Sequence, residues 1–530
     1  MIYFIPNWQS LSVGPTDFDD IVHQLKMFQE NGVAVELLLP TYLPNIRYQL
    51  SKQGLDNIKY WSVFDYLQNV ENVVGLPMTL DALNFPKNTE FIYTPTCTIA
   101  MVSDVTVAKI YYSEFGFVNQ VVYFKNNIMV KKIIFDDRGF ASSSIFFDNG
   151  IKTKINYFDD QNNIKIQQNI LPNQLSTESL SETVSFNSME DLIINSLEKH
   201  LQRNIGQHTL IISASLHNNY LTKLSSLNYR MIISFFSNRF DFENKDALRK
   251  YLSVANAVVV DTRFSKSRVE EAYKFEKIEN NQFTLQELPP FDTKLKLGDS
   301  QSSKLYKIYW YIDDIPAEQS AIVTQVLIDN ILEKKNLSLL ITSHSREKIN
   351  SAMQQMFLFT KKFYQVNEDS FIYQSAWNEM NDDSENKLTS SELENIEGMQ
   401  EWQDAVEAIS MMQRLEGKLI ISEHDVITGL QNARIVLDLN QTLDVYLQIS
   451  SLSVGLPQIN MRESPYVIQE KNGMIITDVN QLEDALAYYL DILQHWNEAL
   501  VYNVAQIEKY SGKNNVQRWI QLVEGKYEEN

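Results

Sequence analysis

Short apolar runs alternate with amphipathic segments along the first part of the chain. MIYFIP opens it as a buried strand. In FDDIVHQLKMFQENG, Ile21, Leu25 and Phe28 recur on one helical face, and Gly32 supplies the stop. VAVELLLP reads as a second buried strand. Strand, helix and strand in this order predict a right-handed βαβ unit and a parallel sheet. YWSVFDYLQ is expected to be a further helix and TEFIYTP a further strand.

The pattern changes near residue 111, where aromatic and β-branched residues crowd together. Turn signals punctuate this region at Lys125-Asn126-Asn127, Asp137-Arg138-Gly139, Asp148-Asn149-Gly150 and Gln161-Asn162-Asn163. They recur at about eleven to thirteen residues, the spacing of a hairpin meander. YFK, IFDD, FFDN and YFDD form a weak internal repeat. An antiparallel sheet over residues 113–172 is the expectation, followed by a polar connection over 172–188.

Alternating α/β texture then resumes. SMEDLIINSLEKHL and KDALRKYLSVA read as helices, and HTLIISAS, RMIISFFS and NAVVVDT as strands. KLYKIYWYID, LSLLITS, KLIISE, ARIVLDL, LPQIN and GMIIT supply the strands of a second unit. Residues 378–401 are acidic and polar and read as a surface loop with a helix start. QLEDALAYYLDILQHWNEALVYNVAQIEKY is a long amphipathic helix or a helix pair.

The expected organisation is a first Rossmann-like lobe over residues 1–112 and 173–294, with an inserted β-sheet domain over 113–172. A second Rossmann-like lobe covers 295–500, and a C-terminal helical segment covers 501–530. Two α/β lobes closed by C-terminal helices resemble the GT-B fold of sugar-nucleotide transferases.

Composition narrows the function classes. At 530 residues the chain is too long for one ordinary core. Apolar residues make up 44% and aromatics 11%, which fits packed globular domains. A net charge of −21 argues against a sequence-independent grip on nucleic acid. With the single cysteine Cys97, no intramolecular disulfide can form, which fits a reducing compartment. MIYFIPNWQS has neither the basic start nor the long apolar run of a signal peptide, and no run reaches the roughly eighteen apolar residues of a membrane span. A cytoplasmic protein is expected.

YFIPNW, FDDIVHQLKMFQENG, LLLPTYLPNIRYQL, YWSVFDYLQ and KLYKIYWYIDD resemble one particular family. It is the first of the accessory Sec system proteins, from Gram-positive bacteria that export serine-rich-repeat adhesins. The resemblance implies a transferase-like fold without demonstrated sugar transfer. It implies assembly with the second and third accessory secretory proteins, and contacts with the accessory Sec motor ATPase and the glycosylated serine-rich-repeat adhesin. Contact with anionic membrane lipid, at the inner face of the membrane, is implied as well.

Beside active transferases of this fold, the donor site departs from the pattern. Retaining members carry E-x7-E before a G-x-P turn. Here Gly455-Leu456-Pro457 is the turn, and the two places fall on Thr442 and Ser450. A hydroxyl accepts a weak neutral hydrogen bond where a carboxylate accepts stronger, charge-assisted ones. Asp444 lies nearby but off register. An R-x-x-x-E-K clamp for the diphosphate is expected at YIDDIPAEQS, which aligns Asp314 with the Arg and Gln319 with the Lys, keeping Glu318. A fixed negative charge there repels a diphosphate. Arg346 and Lys348 are the nearest cations that would substitute.

Other chemistry is weaker. The seven histidines show no ligand spacing, and no Walker loop, G-x-G-x-x-G or G-x-S-x-G occurs. The acid pairs in DFDD, FDDRG and IDDIP fit backbone roles better than a metal site. No catalytic residue, cofactor or metal is expected. In related transferases of the same export system a similar inserted sheet contacts the acceptor chain. Tyr123, Phe124, Phe146, Phe147 and Tyr157 are therefore the candidate partner-binding aromatics, with sheet core as the alternative. The expected function is a non-catalytic, transferase-like scaffold for adhesin export. An active retaining GT-B enzyme with a divergent donor site, or a carbohydrate-binding module, is the alternative.

Overall fold

The computed structural model describes residues 1–9, 18–170, 174–178, 183–203, 206–227, 229–237, 239–275, 282–381 and 390–526. The chain divides into two compact units. One holds residues 1–260, 264–288 and 518–530, and the other residues 261–263 and 289–517. The boundary therefore falls at Leu288/Pro289 rather than near residue 295. The C-terminal segment begins earlier than residue 501, with helix Leu493–Lys509, and its last part belongs to the first unit. The reason is Trp519, which is buried near Phe4, and Arg230, whose Nε donates to the Leu522 carbonyl at 2.8 Å.

The first unit contains a seven-stranded parallel sheet. Strand Ile2–Ile5 sits between Val35–Leu39 and Thr209–Ser213, with Lys59–Ser62 beyond Val35–Leu39. Arg230–Phe235, Ala257–Val260 and Thr284–Glu287 continue the other side. Strands buried on both faces explain why these runs are nearly all apolar. YWSVFDYLQ is split rather than wholly helical. Tyr60 and Trp61 extend the sheet, and the helix starts only at Val63, after Ser62 accepts a hydrogen bond from the Asp65 amide at 3.2 Å.

A second, ten-stranded antiparallel sheet lies in sequence between that helix and helix Met189–Gln202. It runs from strand Glu90–Tyr93 to strand Thr183–Phe186, wider than residues 113–172. TEFIYTP belongs to it rather than to the parallel sheet, because Phe91 and Ile92 pair with Thr98–Val102. Residues 172–188, expected as a connection, instead contribute its last two strands, Gln174–Glu178 and Thr183–Phe186. Residues 171–173 and 179–182 lie outside the described residues.

Three successive hairpins of this sheet repeat every 23 residues. At one end, two-residue turns place both residues at positive φ: Ser103-Asp104, Asn126-Asn127 and Asn149-Gly150. These are the primed turns that match strand twist. At the other end, Ser113, Asp136 and Asp159 open longer turns, and each side-chain oxygen accepts the amide two residues on. Gly116, Gly139 and Asn162 take the left-handed position in those turns. A bulge recurs in step after Val105, Ile128 and Ile151.

The second unit carries a six-stranded parallel sheet. Tyr306–Tyr311 lies between Leu337–Ser343 and Ala433–Asp438. Leu415–Leu419 closes one edge, and Gln458–Asn460 and Gly473–Ile475 the other. This is the classical dinucleotide-fold strand order. KLIISE is displaced, because the strand ends at Leu419 and Ser422 already caps helix Glu423–Gln431. Of the acidic stretch 378–401, residues 382–389 lie outside the described residues. Helices Phe371–Met380 and Ser390–Ile396 occupy most of the rest.

Candidate functional site

In an open parallel sheet, ligands bind beyond the carboxyl ends of the strands where the strand order reverses. In the second unit that point lies between Tyr306–Tyr311 and Ala433–Asp438. The segments that follow these two strands, and neighbouring Leu337–Ser343, build the candidate site.

Asp313 stands two residues past the first strand. Its carboxylate accepts from the Tyr311 hydroxyl at 2.8 Å, from the His344 amide at 2.9 Å and from the Ser343 hydroxyl. Its carbonyl accepts from the Lys348 ammonium. Asn440 bridges the two strand ends. Its amide nitrogen donates to the Tyr311 carbonyl at 3.1 Å and to Asp438 at 2.7 Å, and its oxygen accepts the Asp314 amide at 2.6 Å. The other oxygen of Asp438 accepts the Asp444 amide at 2.9 Å. Asp444 in turn caps helix Val445–Val454 by accepting the Leu447 amide at 2.7 Å.

The electrostatics follow from burial. Burial pushes the Asp438 carboxyl up to about 7, against the donors from Asn440 and Asp444. Asp444 is also pushed up by burial. The Tyr311 phenol is held far above its ordinary value by burial and by Asp444 and Asp313. The site is thus a closed network that supplies acceptors. A diphosphate needs donors and positive charge in the same place.

The residues singled out in the sequence do not converge on this network as a donor clamp. Thr442 is exposed and precedes the helix cap, whereas Ser450 is buried within the helix. Asp314 is exposed, and Gln319 lies half-buried in the first turn of helix Ala317–Glu333. Arg346 is exposed at the start of helix Arg346–Phe363, and Lys348 is tied to the Asp313 backbone. Asp313, Asp438 and Asn440 went unremarked as site residues in the sequence. The signal was there in ARIVLDLN, a buried strand ending in polar groups at a switch point.

The other acid pairs have structural partners. Asp19 caps helix Asp20–Glu30 and accepts from the Trp8 indole at 3.1 Å, while Asp20 pairs with Arg239. In FDDRG, Arg138 donates to Asp136 at 2.7 Å and to Asp65 at 3.1 Å, and Arg47 reaches Asp65, Asp136 and Asp137. Of the five candidate aromatics, Tyr157 is buried against Tyr42 and Phe64 and serves the core, because its side of the strand faces the parallel sheet's helices. Tyr123, Phe124, Phe146 and Phe147 are half-buried.

The fold is that of GT-B glycosyltransferases. The pneumococcal O-GlcNAc transferase GtfA, solved with UDP and GlcNAc, superposes with a TM-score of 0.65 at 12% identity, over 99% of this chain and 98% of that one. Within that fold, the chain belongs to the family of accessory Sec system protein 1, whose model matches residues 1–525. The Staphylococcus aureus member is 27% identical over 548 residues, covering 99% of both proteins. A crystal structure of accessory secretory proteins 1, 2 and 3 of Streptococcus pneumoniae contains a chain that is 25% identical. It has a TM-score of 0.72 and covers 99% of this chain and 100% of that one.

Proposed function

We propose that this protein is a non-catalytic scaffold of the accessory Sec system, built on a two-lobed transferase frame with a β-meander inserted in its first lobe. The observation that carries this reading is the closed network of Asp313, Asn440, Asp438 and Asp444 at the switch point of the second sheet. A nucleotide sugar there would meet carboxylates in place of a cation clamp, and Thr442 and Ser450 in place of the two glutamates.

The scaffold would assemble with the second and third accessory secretory proteins, as its relative from Streptococcus pneumoniae was crystallised. It would serve the accessory Sec motor ATPase and the glycosylated serine-rich-repeat adhesin in the cytoplasm, at the inner face of an anionic membrane. No helix among the described residues is long and apolar enough to cross a membrane. Tyr123, Phe124, Phe146 and Phe147 are its candidate partner-facing aromatics.

The test is co-expression with the two sister proteins, followed by co-purification and a UDP-sugar hydrolysis assay on the free chain and on the complex. A stable complex without turnover is the expected result. Turnover that is lost in a Thr442→Ala/Ser450→Ala variant would overturn the reading in favour of an active transferase.

A further inference from the structure

The turn-bearing end of the antiparallel sheet repeats a surface, not only a fold. Val105, Ile128 and Ile151 each follow a two-residue turn at the same place in successive hairpins. All three are exposed, at 51%, 46% and 63%. The recurrent bulge keeps each of them on the same face as the residue three positions further on, namely Ala108, Lys131 and Lys154. Register then lines up Ala108, Tyr123, Lys131, Phe146 and Lys154 as one row across five neighbouring strands.

The first part of that row is covered, since the Phe85 ring stacks on Tyr123 at 6.4 Å. Beyond Tyr123 the row presents Lys131 and Lys154 on either side of Phe146, their ammonium groups 5.4 Å and 4.9 Å from its ring centre. Such contacts hold a cation in place without neutralising it. Among the described residues neither lysine has a carboxylate partner, in a chain whose net charge is −21. Asp148 is the one carboxylate on the adjoining edge row, opposite Ile151.

We propose that this face binds an extended, acidic polypeptide segment of another protein, laid across the strands. Lys131 and Lys154 are two strands apart, about 9.5 Å, which equals about three residues of extended chain. A carboxylate at every third position would meet one lysine per hairpin, while Ile128 and Ile151 flank the same path with apolar surface. This inference rests on the partner-surface reading of the sheet and adds the chemistry of the partner.

The test uses a fluorescein-labelled peptide of 15 residues with glutamate at every third position, titrated with the full-length protein and followed by anisotropy. A peptide of the same composition with clustered glutamates, phosphatidylglycerol vesicles and a single-stranded oligonucleotide are run beside it. The spaced peptide is expected to bind saturably and more tightly than the clustered one. Lys131→Glu/Lys154→Glu is expected to weaken it at least tenfold with an unchanged melting temperature. Ile128→Ser/Ile151→Ser, which keeps the charges, is expected to weaken it several-fold and serves if the charge variant unfolds. Equal binding by wild type and both variants, no saturable binding, or a preference for vesicles or oligonucleotide would overturn the proposal. Co-purification of the same variants with the sister proteins is scored separately. A failed scaffold shows there, and a failed peptide site shows only in anisotropy.

Discussion

The Arg138 guanidinium donates to the Asp65 carboxylate at 3.1 Å, joining the antiparallel sheet to a helix 73 positions earlier in the chain. The same guanidinium donates to Asp136 at 2.7 Å and to the Val70 carbonyl at 2.6 Å. A turn that reads as an ordinary Asp-Asp-Arg-Gly hairpin loop is the anchor of the whole sheet.

Removing that anchor should be costly. Arg138→Met leaves the buried Asp136 and Asp65 short of a counter-charge. Breaking one side of a buried ion pair typically costs about 3–5 kcal/mol, and urea unfolding is expected to show a loss of that order. Lys52→Met, which removes an exposed partner of Glu114, is expected to change stability by less than about 1 kcal/mol.

Equivalent glycines in the repeat should respond unequally. Gly116 and Gly139 both hold a left-handed backbone, at φ 84° and 92°. An added Cβ at Gly116 meets nothing within 4 Å, but at Gly139 it would lie 2.0 Å from the Leu76 carbonyl oxygen. Gly116→Ala should cost only the left-handed penalty of about 1–2 kcal/mol. Gly139→Ala adds a backbone clash and should cost clearly more, which paired thermal melts of the two variants would show.

Stability should fall as pH rises from about 4 to about 7. Burial raises Asp438 to about 7 and Asp19 to about 6, both above the ordinary carboxyl value near 4. A raised folded value means the fold prefers the protonated form. That contribution is fully present below about pH 4 and lost as pH climbs through the folded value. For Asp438 the ceiling is about 4 kcal/mol, from three units at about 1.4 kcal/mol each. Asp438→Asn is expected to shrink the difference in unfolding free energy between pH 5 and pH 8. An unchanged difference would show that the buried carboxylate stays ionised in the native network.

Reinstating glutamates should not restore sugar transfer. Thr442→Glu is exposed and should leave stability within about 0.5 kcal/mol. Ser450→Glu introduces a carboxylate at a buried helix position and should cost about 3 kcal/mol. The double variant is expected to release no UDP from UDP-sugars above the wild-type background, since Asp313 and Asp314 still occupy the clamp segment. Restored release would mean that Arg346 or Lys348 holds the diphosphate.

Much of the architecture was legible because apolar runs such as VELLL and ARIVLD are buried on both faces and have few alternatives to a parallel strand. The limits of the antiparallel sheet were less visible. Glu90–Tyr93 is short and largely exposed, and Gln174–Glu178 is mostly polar, so neither carries a core pattern. The half-strand, half-helix YWSVFDYLQ misled because its apolar residues satisfy both periods, and only the cap at Ser62 decides. At the candidate site, Thr442 and Ser450 are readable by position. The network through Asn440 is not, because it joins residues about 130 positions apart that only the strand order brings together.

The 23-residue hairpins also set how the sheet can change in size. Each unit adds two strands, so gaining or losing a whole unit leaves the direction and facing of every later strand unaltered, whereas an odd strand would invert them. The sheet is in effect a ruler with one graduation per hairpin. Its reach can shift by about 9.5 Å per step while Asp136, Asp137 and Arg138 keep its zero mark fixed on Arg47 and Asp65.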